Sequence, residues 1–210
     1  MGKSLDVIRL YRARFSTNVE RVALALAHKG LEVESVVIDY SDRSAVIKVS
    51  GQPLVPVIVD DGHVVADSTA ILRYLEETRP DPPLFPRDPP RRAELDVFLE
   101  WFNEVWKGPP NAIEAQLREP EPDRDRIAAL GARMRGWLAV FESMLHDRDY
   151  LFGDFSAADC AAFPFLKYAR QRDPADDEQF HLILEEHQRL GGGYPRLAAW
   201  IERVNERPRA

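Results

Sequence analysis

Apolar positions along the chain follow two grammars, and the change between them comes near residue 90. In the first part short β-branched runs alternate with one strong helical stretch. Residues 5–10, LDVIRL, predict a strand. Residues 18–30 place Val22, Leu24, Ala25 and Leu26 on an Ala-rich helix that Gly30 stops. Residues 31–39, LEVESVVID, predict a second strand, and 42–50 a weak helix or irregular crossover. Residues 56–66 read as two strands around Asp61-Gly62, a strong hairpin signal. Residues 67–79 form a helix with Ile71, Leu72 and Leu75 on its buried face. The order is β-α-β-(α)-β-β-α, with the first two strands parallel and the hairpin antiparallel.

Residues 80–90, PDPPLFPRDPP, hold six of the chain's 16 prolines, which predicts an extended linker. Beyond it only helical spacing is found. Leu95, Phe98, Leu99, Phe102 and Val105 recur over 91–107. Ile127, Leu130, Met134, Trp137, Leu138, Phe141 and Leu145 recur over 124–146. Further helices are expected at 157–171 and 195–206, with a short one over HLILEEH inside 172–193. The expected domains are therefore 1–79, an α/β domain, and 91–210, an all-helical one.

Composition narrows the function. The formal net charge is -7, without a long basic run, which disfavours nucleic-acid binding. One cysteine, Cys160, excludes an internal disulfide and suits a reducing compartment. It sits among Ala157, Ala158, Ala161 and Ala162 and reads as a packed small hydrophobe. No apolar run reaches the ~18 residues of a membrane span, and the N-terminus lacks a signal-peptide core. A cytoplasmic protein is expected. The five histidines show no metal-ligand spacing, and no metal site is expected. Gly191-Gly192-Gly193 follows no strand and is not a phosphate loop.

Three segments carry a family resemblance. LVPVIVDDGHVVADSTAILRYLEE (54–77) resembles the Val-Pro strand, Asp-Gly hairpin and acidic-Ser helix start of the cytosolic glutathione transferases. GDFSAADCAAFP (153–164) is similar to the Ser-x-x-Asp helix start of their second domain, and YPRLAAWIERVNERP (194–208) to their last helix. The resemblance implies a thioredoxin-like N-terminal domain joined to an all-α C-terminal domain. It implies glutathione as co-substrate, a hydrophobic electrophile as second substrate, and a homodimer.

The resemblance also implies roles for individual residues. Val55-Pro56 is expected to be cis, leaving the Val55 backbone free to pair with the cysteinyl part of glutathione. Ser68 is expected to take the γ-glutamyl carboxylate at a helix N-terminus and Asp67 the γ-glutamyl ammonium. Both residue types are also ordinary helix caps, and the two jobs can coincide. Ser16 stands where theta-like and zeta-like members keep a catalytic serine, and Asn18 matches the asparagine of nu-like members. A free thiol has a pKa of ~8.5, so a hydroxyl or amide donating to sulfur is needed to hold the thiolate near neutrality. Ser16-Thr17-Asn18 departs from the zeta-like Ser-Ser-Cys, and capping alone would also account for the trio. Lys48 or Arg43 is the candidate for the glycyl carboxylate; Phe15, Trp101 and Trp106 are candidates for the electrophile pocket. Ser156 and Asp159 read as a structural capping box.

The function expected is glutathione conjugation to a hydrophobic electrophile, a transferase reaction of the detoxification kind. The alternatives are a nu-like glutathione-dependent disulfide or peroxide reductase and a non-catalytic scaffold built on the same fold.

Overall fold

The structure, a computed structural model, describes residues 7–210. The chain divides into two compact units: residues up to Phe85 together with Arg207–Ala210, and Pro86–Glu206. The first takes in the stretch from Pro80 to Phe85 that the proline content predicts as linker. Leu84 and Phe85 are buried, and the Leu84 N–H donates to the Glu76 carboxylate at 2.9 Å. It also takes the last four residues, which the sequence reading assigns to the helical domain.

The first unit runs β1 (Ile8–Arg12), α1 (Thr17–His28), β2 (Val33–Val37), α2 (Ser44–Ser50), β3 (Val57–Asp60), β4 (His63–Ala66) and α3 (Ser68–Thr78). Residues 5 and 6 of the expected first strand lie outside the described residues. The sheet order is β2-β1-β3-β4, with β1 and β2 parallel and β3 antiparallel to both β1 and β4. The hairpin turns at Asp61 (φ 48°) and Gly62 (φ 79°), the two left-handed residues a tight Asp-Gly turn requires. Tyr11, Val57 and Val59 meet Val46 of α2 in a core on one face of the sheet. Leu10 and Ile58 pair in register, and strand alternation points them to the opposite face. On that face α3 packs on β3 and β4, and α1 packs on α3.

Two buried contacts bind α1 to α3. A guanidinium N–H of Arg21 donates to Ser68 Oγ at 3.4 Å, and Lys29 Nζ meets Glu76 Oε2 at 3.0 Å. Arg21 and Lys29 are eight residues apart, as are Ser68 and Glu76. The two helices therefore run parallel and in register, and both N-termini lie at one end. Lys29 Nζ also donates to the carbonyls of Arg79 at 2.6 Å and Pro82 at 2.9 Å, which fastens the chain leaving α3.

The second unit holds α4 (Pro89–Trp101), a π-helical turn (Phe102–Trp106), α5 (Gly108–Leu117), α6 (Arg124–Met144), α7 (Ala157–Leu166) with a 3-10 turn to Ala169, α8 (Gln179–His187) and α9 (Pro195–Asn205). Helix α5 was not expected. Its Pro109 and Pro110 lie in the first turn, where no intrahelical donor is needed, and Pro89 and Pro90 open α4 in the same way. Helix α7 is buried along its whole length, Cys160 included. Its capping box forms as the sequence suggests, and Asp159 does more than cap. Its carboxylate accepts from Leu151 N–H, Ser156 N–H, Ser156 Oγ and Trp200 Nε1, all within 3.0 Å. Burial pushes the Asp159 carboxyl up, and these four donors oppose that rise.

Breaking the Lys29–Glu76 pair leaves a buried carboxylate without its cation, a change typically worth ~3–5 kcal/mol. Chemical denaturation of Lys29→Met is expected to show a loss of about 3 kcal/mol. Adding Glu76→Gln should recover a substantial part of it. A loss below ~1 kcal/mol in the single variant would show that the pair does not hold α1 to α3.

Candidate active site

Sheet topology gathers the candidate residues of the first unit at one edge. Tyr11, Val57 and Ala66 form one row across β1, β3 and β4. Just beyond that row lie Val55-Pro56, which lead into β3, and Asp67, which follows β4. Strand β1 ends at Arg12, and the turn through Phe15 leads to Ser16. The in-register packing of α1 on α3 brings the two helix starts to this same end.

The Val55-Pro56 bond is cis, as expected. Among the described residues neither the N–H nor the C=O of Val55 has a hydrogen-bond partner. Gln52 braces the approach: its amide accepts from Leu54 N–H at 2.6 Å and donates to Leu54 C=O at 2.9 Å. Val55 thus presents an open donor and acceptor beside β3, the arrangement an extended peptide needs for strand-like pairing.

Ser16 is the N-cap of α1. Its Oγ accepts from Val19 N–H at 3.3 Å, from an extended backbone (φ −61°, ψ 114°). A hydroxyl has one proton and two lone pairs. Capping uses a lone pair, so the proton stays available to a second acceptor. Asn18, half-buried, is the second residue of the same helix. The helix start is electrostatically suited to an anion. The one acid in its first turn, Glu20, is held by Arg209, with contacts of 3.0 and 3.3 Å. Phe15, half-buried, has φ 61°, an outlier for a bulky residue, and the Arg14 guanidinium stacks 4.5 Å from its ring centre.

Asp67 caps α3 through one oxygen: Oδ1 accepts from Thr69 N–H and Ala70 N–H, both at 2.9 Å. These bonds offset a strained backbone at φ 74°, ψ 128°. They also occupy two of the helix donors that a bound carboxylate would otherwise meet. What remains at the α3 start is the Ser68 N–H and the Ser68 hydroxyl proton, with the second Asp67 oxygen exposed beside them. Ser68 Oγ already accepts from buried Arg21.

Lys48 lies in the last turn of α2 and is exposed, while Arg43 is engaged by the carbonyls of Pro53 (2.9 Å) and Tyr40 (3.3 Å). In the second unit Trp101 is half-buried and packs edge-on against Trp137 at 5.7 Å. Trp106 stacks on Phe102 at 4.5 Å and is 1% exposed, so it is a core residue with no surface to line an electrophile pocket. A polar cleft of about 350 Å³ in the same unit is lined by Tyr168, Arg170, Glu185 and Arg189. Its arginines face Glu202 and Glu185, and it holds none of the candidate residues. Among the described residues no cluster suits a metal ion, and no helix is long and apolar enough to cross a membrane.

Arg21 lies beside these residues, and its sequence signal is slight: a cation between Val19 and Val22 on an otherwise apolar helix face.

A four-stranded mixed sheet with α1 and α3 on one face and α2 on the other, followed by an all-helical unit, defines a thioredoxin-like transferase architecture. The comparisons agree. Residues 10–83 match the glutathione S-transferase N-terminal domain and 124–203 the C-terminal domain. The chain is 33% identical over 161 residues to FtsZ-localized protein A of Caulobacter vibrioides, covering 70% of each. It is 31% identical over 175 residues to maleylacetoacetate isomerase of Pseudomonas aeruginosa, covering 79% of this chain and 82% of that one. A glutathione S-transferase of Methylobacterium radiotolerans, solved with glutathione sulfonate, superposes with a TM-score of 0.70 at 28% identity, covering 96% and 91% of the two chains. The chain belongs to the glutathione S-transferase family, whose enzymes use glutathione as co-substrate.

Because the Ser16 oxygen caps α1, Ser16→Ala is expected to lower stability by ~1 kcal/mol. Ser16→Asn, which supplies another capping oxygen, should stay within a few tenths of a kcal/mol of wild type. Equal losses in both variants, measured by urea denaturation, would remove the capping role.

Proposed function

We propose that the protein binds reduced glutathione at this edge of the first unit and conjugates its thiolate to a hydrophobic electrophile. The observation that carries the reading is that, among the described residues, three residues at one sheet end keep hydrogen-bonding capacity: Val55 through its backbone N–H and C=O, Ser16 through its hydroxyl proton, and Ser68 through its N–H and hydroxyl proton. Each suits a different part of the tripeptide. Val55 pairs with the cysteinyl backbone. Ser16, with Asn18 beside it, donates to sulfur and lowers the thiol pKa. Ser68 takes the γ-glutamyl carboxylate, and the exposed Asp67 oxygen takes the ammonium. Lys48 is the cation proposed for the glycyl carboxylate. Phe15, at the same edge of the first unit, is the apolar side chain proposed to meet an electrophile, and a cytoplasmic homodimer is the assembly proposed. Maleyl isomerisation fits less well, because this chain reads Ser16-Thr17-Asn18 where the zeta-like trio is Ser-Ser-Cys.

Two other readings keep specific support. Asn18 favours a nu-like reductase working through glutathione. The similarity to FtsZ-localized protein A favours a binding module whose partner is a protein.

Calorimetric titration of the full chain with reduced glutathione to millimolar concentration is expected to give heat and a rise in Tm. Asp67→Asn retains a capping oxygen and removes the charge. It should weaken binding by ~1.5–3 kcal/mol, the range for a hydrogen bond to a charged group, with little change in apo stability. No heat and no thermal shift in the wild type would sink the enzyme reading and leave the binding module.

The thiolate absorbance of the complex, followed against pH, should titrate at higher pH in Ser16→Ala than in wild type, with slower conjugation near neutrality. An effect confined to Asn18→Ala would favour the reductase. If Ser16→Ala combined with Asn18→Ala titrates like wild type, the activating group lies elsewhere.

A further inference from the structure

The α3 start has an electrostatic deficit as a carboxylate site. Asp67 places its own negative charge there, and its Oδ1 occupies the N–H groups of Thr69 and Ala70. A ligand carboxylate is left with two donors, both on Ser68, next to a like charge. Like charges brought together at one helix start repel each other. Some cation has to offset Asp67 for the site to prefer an anion.

Arg21 is the cation in place. It projects from α1, is 0% exposed, and reaches Ser68 Oγ across 47 residues of sequence. Fixed in the interior, its charge is screened by water far less than that of an exposed side chain. The contact also fixes the serine. With a guanidinium N–H donating to Oγ from the protein side, the hydroxyl proton is directed away from Arg21. A neutral residue at 21 would leave Ser68 free to turn its proton inward.

We propose that Arg21 is a positioning residue for ligand binding, which orients the Ser68 hydroxyl and supplies the positive field that makes the α3 start select a carboxylate. The inference rests on the glutathione reading and names which part of the tripeptide depends on Arg21. The γ-glutamyl carboxylate depends on it, and the cysteinyl and glycyl parts do not. It also distinguishes Arg21 from Lys29, the C-cap residue of α1, which binds Glu76 and sits far from the helix start.

The test compares two ligands. Reduced glutathione carries the carboxylate; γ-aminobutyryl-cysteinyl-glycine keeps the ammonium and the rest of the peptide and lacks only that group. The wild type should prefer glutathione, with Kd values measured by calorimetry. In Arg21→Gln the preference should fall by about tenfold, while the Kd of the analogue stays within about twofold; tenfold corresponds to ~1.4 kcal/mol. A merely structural loss would weaken both ligands together and leave their ratio intact. Where Arg21→Gln does not fold, Arg21→Lys takes its place. It keeps a charge but loses the fork that reaches Oγ, and the ratio should fall at least threefold. An unchanged ratio in either folded variant overturns the proposal. A wild type that binds neither peptide overturns the glutathione reading itself, an outcome distinct from one in which glutathione binds and its preference survives the loss of Arg21.

Discussion

The site depends on the register between α1 and α3. Arg21–Ser68 and Lys29–Glu76 are two rungs of one ladder, eight residues apart on each helix, about 12 Å at 1.5 Å per residue. Both rungs are buried, and both carry their cation on α1 and their acceptor on α3. A slip of either helix would leave buried polar groups without geometry to meet, which is expensive in a dry interior. The ladder therefore places the two helix starts side by side. Ser16 and Ser68 lie at the same end of the helix pair because of it, although 52 positions separate them in sequence.

The helical unit solves the same problem with the opposite charge. Its hub is a carboxylate, Asp159, which is 0% exposed and accepts four hydrogen bonds from a loop, a cap and the Trp200 indole on α9. Burial raises the pKa of such an acid, and donors aimed at the charged form lower it again. Around it α7 contributes only Ala, Cys, Phe, Pro and Leu to the core, so the polar geometry is concentrated at one residue. In each unit a few buried polar contacts fix alignment where apolar packing alone, being non-directional, would tolerate sliding.

Much of this was legible in the sequence because it is local. Hydrophobic period separates the mixed unit from the helical one, Asp61-Gly62 marks the hairpin, and Ser156 with Asp159 marks the capping box. The misses involve information that is not local. Pro89-Pro90 and Pro109-Pro110 look like helix breakers until the structure places them in a first turn, where proline is tolerated. Leu84 and Phe85 were hidden among prolines, yet they are core residues, held through Glu76. The last four residues join the first unit through contacts such as Arg209 to Glu20, a pairing 189 positions apart that no window of sequence can contain. Trp106 and Trp101 have the same composition and helical spacing, and only packing tells the enclosed ring from the one that keeps surface.

At the candidate site the sequence was ambiguous for a physical reason. Ser16 and Ser68 stand where a capping serine and a ligand-binding serine look alike, because one hydroxyl can serve both purposes. It has two lone pairs and a single proton, and the protein side engages a lone pair in each case: Val19 N–H at Ser16, the Arg21 guanidinium at Ser68. That engagement stabilises the fold and leaves the proton for another acceptor. At Ser16 capping is then no rival to a second role. The neighbouring Asp67 shows the converse. A carboxylate has no proton to direct, so what it offers beyond its cap is charge alone. That restricts it to a cationic partner and leaves the buried Arg21 guanidinium, in contact with Ser68 Oγ, as the positive charge at the same turn.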